Sequence, residues 1–173
     1  MKKIILIAAA VLGFALAASA QPRAIGGRVG YGLEASYQHT IGGTDFVEVN
    51  AGLFGYDSFG AAATYNFMIA QPEWTSKGEW GFYAGPGASL NYGWGINENY
   101  DIDYETGEVS NLVTSSFNVA VMAQVGLEYT FWFPLQLSVD IRPMVGISIA
   151  DGVSFYRNGL FGFSPCISAR YRF

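Results

Sequence analysis

The chain of 173 residues holds one cysteine, one histidine and, after Lys3, a single lysine at position 77. A lone Cys166 excludes an internal disulfide, so an exported form of this protein has to fold without a covalent staple. One histidine and one cysteine also exclude the His/Cys clusters of a zinc site. Charged residues make up only 13% of the chain, against 51% hydrophobic and 16% aromatic. A soluble domain carries roughly 25–35% charge on its surface. Nine basic residues, two of them Lys2 and Lys3, stand against fourteen acidic ones. There is no basic patch to meet a nucleic-acid backbone. None of the glycines forms a nucleotide-binding fingerprint followed by a helix, and nothing in the composition asks for a cofactor. After residue 20 no apolar run reaches the roughly 20 residues of a spanning helix.

The first twenty residues have their own logic. Met1-Lys2-Lys3 is a short positive start, Ile4 to Ala18 is almost wholly apolar, and Ala18-Ser19-Ala20 puts small residues at the cleavage-specifying positions. This pattern predicts a secretory signal peptide over 1–20, cleaved before Gln21, and a single domain over 21–173. High apolar content, few charges, no spanning helix and an export signal together predict a transmembrane β-barrel.

Period-two alternation is the test, because successive strand side chains point to opposite faces. From Phe117 to Phe131 one face reads Phe, Val, Val, Ala, Val, Leu, Tyr, Phe and the other Asn, Ala, Met, Gln, Gly, Glu, Thr. Leu135 to Ile149, Trp80 to Gly95, Val47 to Leu53, Ala61 to Ile69, Ala24 to His39 and the terminal strand alternate likewise. Seven segments do not close a bacterial barrel, whose strand count is even, with both termini periplasmic. Short turns alternate with longer loops if "WFP", 70–79 and "TIGGT" lie inside the envelope and 151–158, 96–115 and "GYDSFG" outside. Residues 24–39 then have to supply two strands, divided at Gly30-Tyr31-Gly32, with Val29 and Leu33 kept on one face. The fold expected is an all-β, closed, antiparallel up-and-down barrel of eight strands. Pro86, Pro143 and Pro165 fall inside the expected strands, where each removes a ladder hydrogen bond and asks for a bulge or a strand end.

The polar face is rich in Gly, Ser, Asn and Gln rather than Lys and Glu, which suits a crowded interior better than a watery exterior. Aromatics gather near strand ends: Trp80, Tyr129, Phe131 and Trp132 on one side, Trp94 on the other, as in the girdles at the two bilayer interfaces. The terminal stretch "ISARYRF", with Tyr171 and Phe173 on the apolar parity, resembles the C-terminal β-signal of Gram-negative outer-membrane proteins. The chain from residue 21 onward is similar to the small eight-stranded barrels typified by OmpX and the OmpA membrane domain. That resemblance implies an outer-membrane location, outer-membrane lipid as surroundings, and Tyr171 and Phe173 as an assembly signal. It also implies the barrel assembly machinery and periplasmic chaperones as partners during biogenesis. An extracellular partner is left unspecified.

On the inward parity lie Arg28, Glu34, Glu48, Glu128, Asp140, Arg142, Arg170 and Arg172, four charges of each sign. Buried charges are tolerated when paired, and an eight-stranded barrel is just wide enough for side chains to fill it. A plugged polar lumen is therefore expected. The 96–115 loop carries Asp101, Asp103 and Glu105, weak candidates for calcium through their oxygens, though a charge run of this kind is mostly a solvated surface.

An enzyme needs a nucleophile, a base and an orienting group within reach. His39 falls at a periplasmic turn while Asp57 and Ser58 fall outside, so no catalytic residue is assigned. The function expected is a structural or surface-interaction role in the outer membrane. A narrow channel, a soluble periplasmic lipocalin-like ligand-binding barrel and a lipid A-modifying enzyme stand as alternatives.

Overall fold

In the computed structural model, residues 23–30, 32–54, 58–94, 96–102, 109–113, 115–150, 152–158 and 165–173 are described. They contain no helix. The strands in chain order are β1 (Arg23–Val29), β2 (Leu33–Thr40), β3 (Phe46–Leu53), β4 (Ser58–Ala70), β5 (Glu79–Gly93) and β6 (Ile96–Ile102). They are followed by β7 (Val109–Val113), β8 (Ser116–Thr130), β9 (Leu135–Ile141), β10 (Met144–Ile149), β11 (Val153–Asn158) and β12 (Pro165–Arg172).

The wall runs β1-β2-β3-β4-β5-β8-β9-β12 and back to β1, antiparallel throughout, with β10 continuing β9 along β8. This is a closed eight-stranded up-and-down barrel. The division of 24–39 is as expected: Val29 pairs with Leu33, and the Gly30 N–H donates to the Gly32 carbonyl (3.1 Å) across the turn. At the opposite end Arg23 and Phe173 exchange backbone hydrogen bonds of 3.1 and 2.9 Å, closing the wall. The turns 41–45, 71–78 and 131–134 share this terminal end; the β1–β2, β3–β4 and β10–β11 connections lie at the other.

The prolines act in three different ways. Pro165 opens β12, where no ladder donor is missed. Pro143, with Arg142, breaks β9 from β10, and the Ala123 N–H donates to the Pro143 carbonyl (3.0 Å) across the break. Pro86 stays within β5, whose pairing with β8 is continuous. Its pairing with β4 skips from Thr64–Gly87 to Phe67–Ala84.

Three expectations need correction. The 96–115 segment, read as a loop, carries β6 and β7 as a separate two-stranded sheet, and 151–158 carries β11 paired to β10. The β-branched and aromatic residues scattered among their charges favour a strand. The loop read as "GYDSFG" is shorter than expected, because Ser58, Phe59 and Gly60 already belong to β4.

The barrel is inside-out. Among the described residues nineteen buried side chains are polar or charged and eight are apolar. Large apolar residues such as Val29, Leu33, Val121, Val139 and Ile167 are half exposed or more on the outside. Crowding inside explains one glycine well. A Cβ on Gly126 would stand 2.3 Å from the Tyr83 ring and 2.8 Å from Asp140 Cβ. Tyr83 is paired across from Gly126, fully buried and edge-on to Phe46 at 5.1 Å. The ring lies in the space a side chain would take, the cross-strand aromatic cover known for sheet glycines. Gly126→Val is expected to lower unfolding stability by about 1–3 kcal/mol through overpacking. Denaturant titration followed by tryptophan fluorescence measures it, and an unchanged midpoint would show that Tyr83 gives way freely.

Candidate functional site

Alternation alone aims Arg28, Glu34, Glu48, Asp140, Arg142 and Arg170 at the axis; closure of the wall brings them together. Glu48 on β3 is the hub and has no exposed surface. Its Oε1 accepts from Arg142 Nη2 (2.6 Å) and Arg170 Nη2 (2.9 Å), and its Oε2 from Gln38 Nε2 (3.1 Å). Arg28 Nη1 donates to Glu34 Oε1 (2.8 Å), while its Nη2 pairs with Asp140. Arg142 Nη1 donates to the second Glu34 oxygen (3.2 Å), and Arg142 Nε stands 3.6 Å from Asp140 Oδ1. Arg170 also donates to Ser36 and Ser138, both at 2.8 Å. Three guanidinium groups and three carboxylates form one connected set. Charge balance and shared hydrogen bonds are the conditions under which ions persist away from water.

Neutral amides extend the set to the far wall. Gln124 on β8 accepts from Thr64 (2.6 Å) and Asn66 (3.1 Å) on β4, and its Nε2 lies 3.4 Å from Glu48 Oε2. Thus every wall strand except β5 sends a polar group into the plug, and β5 sends Tyr83. Period-two reading put Gln124 on the polar face but could not show it to be a bridge. Tyr83 was missed, since an aromatic residue on the polar parity carries no signal of its own. The hairpin side of Gln124 is different again: Ala62, Ala120, Met122 and Met144 form an apolar cluster inside the barrel, with Phe54 packed against it. The lumen is ionic at its middle, and beyond it the apolar cluster shares the interior with the buried Asn50, Ser89 and Asn91.

Two of the eight charged lumen residues stand apart. Glu128 is buried, accepts from Gln136 Nε2 (2.6 Å), and enters no ion pair among the described residues. Arg172 is half-buried at the terminal end and likewise outside the ion-paired set. Both line a cavity of about 190 Å³ on the terminal side of the plug, with Gln38 joining its wall to the Glu48 hub.

The aromatic residues form a ledge around the terminal end. Trp80 packs on Tyr129 (4.7 Å), Tyr129 on Phe131 (4.6 Å) and Phe131 on Trp132 (5.9 Å), while Trp74 adds a contact to Trp80 (5.4 Å). The Lys77 ammonium sits 5.6 Å over the Trp132 ring. Trp94 lies beyond the other end of β5, beside the exposed Tyr92. Tyr171 and Phe173 both face outward on the terminal strand, with ring centroids 6.4 Å apart.

Of the remaining candidates, Asp101 lies in β6, while Asp103 and Glu105 fall outside the described residues. Among the described residues no group of three or more potential metal ligands occurs. His39 sits at the terminal end of β2, its Nδ1 3.5 Å from Tyr37 Oη. In register it is level with Val47 and Tyr65, seven residues down β4 from Ser58. At about 3.3 Å per residue that is roughly 23 Å. Ser58 donates its hydroxyl to the Phe54 carbonyl, and Asp57 lies outside the described residues. Comparison with protein-family models, curated proteins and solved structures finds no match to this chain.

Proposed function

We propose that this protein is an integral outer-membrane β-barrel whose lumen is plugged and whose role is structural or interactive at the cell surface. The carrying observation is the inversion of the barrel: ion pairs on the axis, and a continuous apolar skin outside. A lipocalin-like ligand-binding barrel in solution needs the opposite arrangement, an apolar cavity inside a charged shell. The spacing of the aromatic residues supports the same reading. From Trp80 to Tyr92 along β5 is about 40 Å at 3.3 Å per residue. On a strand tilted by about 40° this is close to 30 Å of height. The hydrocarbon core of a bilayer is about that thick.

In this reading the terminal end faces the periplasm, and outer-membrane lipid surrounds the apolar skin. The β12 strand with Tyr171 and Phe173 is the segment engaged by assembly machinery and chaperones during biogenesis, after removal of residues 1–20. No catalytic step is proposed.

The refolded protein is expected to show heat-dependent gel mobility, the sign of a folded barrel, and to insert into planar bilayers without discrete conductance steps. Six ion pairs and an apolar cluster across a lumen this narrow are the grounds for that expectation. Reproducible single-channel steps from inserted protein would replace the plugged reading with the narrow-channel one.

A further inference from the structure

Glu128 is the buried lumen carboxylate that makes no ion-pair contact with the plug among the described residues. It is 8% exposed, and its Oε2 is held by Gln136 Nε2 at 2.6 Å. Its other oxygen has no hydrogen-bonding partner among the described residues, and it is not among the occluded atoms without one. That oxygen is therefore open to the 190 Å³ cavity that the residue lines. Arg170 and Arg172 act on this carboxylate from beyond ion-pair distance, so a carboxylate this deep bears a desolvation cost that no contacting cation offsets.

The rest of the lining says what kind of group would offset it. The four charged residues around the cavity are Arg23, Arg172, Glu79 and Glu128, two of each sign. They are not mixed at one depth. The buried charge is the Glu128 carboxylate, whereas both arginines are only half-buried and Glu79 is exposed. The cavity thus has a negative floor and a positive rim. Neutral hydrogen-bonding side chains, Gln38, Thr130 and Gln136 among them, lie in the same wall. Drug-sized pockets occupy roughly 300–1,000 Å³, so this one suits a molecule of a few heavy atoms and is too small for an acyl chain or a peptide.

We infer that the vestibule at the terminal end is a binding site for a small zwitterion, whose primary ammonium pairs with Glu128 and whose carboxylate meets Arg172 at the rim. Such a ligand gives Glu128 and Arg172 each a contacting partner of opposite charge at once. It leaves the Glu48 plug intact, because Gln38 separates the vestibule floor from Glu48 by a single hydrogen bond of 3.1 Å. The site is a property of the closed barrel and does not depend on the membrane reading.

The test is calorimetric titration of the refolded protein in detergent micelles with three probes: β-alanine, ethylamine and propionate. β-Alanine is expected to give saturable heat, and ethylamine and propionate to bind at least about tenfold more weakly, each having lost one charge-assisted contact. Glu128→Gln should weaken β-alanine by tenfold or more and leave propionate unchanged. Arg172→Gln should weaken β-alanine and leave ethylamine unchanged. Absence of saturable heat with β-alanine overturns the inference, as does ethylamine binding as tightly as β-alanine or undiminished binding by Glu128→Gln. Gel mobility before and after boiling reports whether each variant has folded, and the three-probe series on the unaltered protein decides the matter if a variant has not.

Discussion

Replacing Glu48 with alanine is expected to cost the barrel about 3–5 kcal/mol, the penalty for leaving buried charge without its partner. Glu48 Oε1 is shared by Arg142 and Arg170, and Oε2 holds Gln38, so one truncation strips contacts from two guanidinium groups. Arg142 keeps Glu34 and Asp140 as partners, whereas the hydrogen bonds left to Arg170 among the described residues go to the neutral Ser36 and Ser138. Most of the loss should therefore trace to Arg170. A double-mutant cycle pairing Glu48→Ala with Arg170→Met isolates that coupling. The double variant should recover the part of the loss that comes from stranding the Arg170 charge, because that charge is then absent too. Urea midpoints in detergent, with fluorescence and gel mobility as probes, read both quantities. A Glu48→Ala loss under 1 kcal/mol would mean that water reaches the lumen, and the plug would be no plug.

The second large effect separates a membrane barrel from a soluble one. Val121 on β8 is 62% exposed on the outer face, paired with Ala88 and Val145 away from either aromatic rim. In a bilayer an arginine on the lipid face near the midplane costs roughly 2–4 kcal/mol. On a water-exposed surface the same change is worth within about ±0.5 kcal/mol. Val121→Arg should thus impair folding into phospholipid vesicles while leaving detergent-folded protein nearly unaffected, because micelles admit water and headgroups to the charge. Equal stability of the two proteins in vesicles would count against a lipid-facing wall. Arginine at Val153, exposed at the hairpin end, serves as the shallow control, with a cost near 0–1 kcal/mol expected close to an interface.

What the sequence determined by itself was everything governed by local geometry. Side chains alternate with a period of two whatever the strand pairs with, so the inward set from Arg28 to Arg170 and the outward set from Ile25 to Tyr171 could be read directly. The turn at Gly30–Gly32 was legible for a similar reason: a strand of sixteen residues overshoots one crossing, and a three-residue break keeps Val29 and Leu33 on one face. Proline was legible as trouble but not as outcome. The same missing N–H falls at the opening of a strand at Pro165, in the break between two strands at Pro143 and within a strand at Pro86.

Only the tertiary structure decided who meets whom inside. Arg170 reaches Glu48 across 122 positions of sequence and Arg28 reaches Asp140 across 112. Such meetings depend on barrel closure and on the stagger between strands, which no local pattern encodes. The same closure sets Glu128 apart from the ion pairs and places Tyr83 over Gly126. It also collects Ala62, Ala120, Met122 and Met144 into an apolar cluster on a face that alternation had marked as polar. Alternation states which way a side chain points; the height and stagger of the opposite wall state what it finds there.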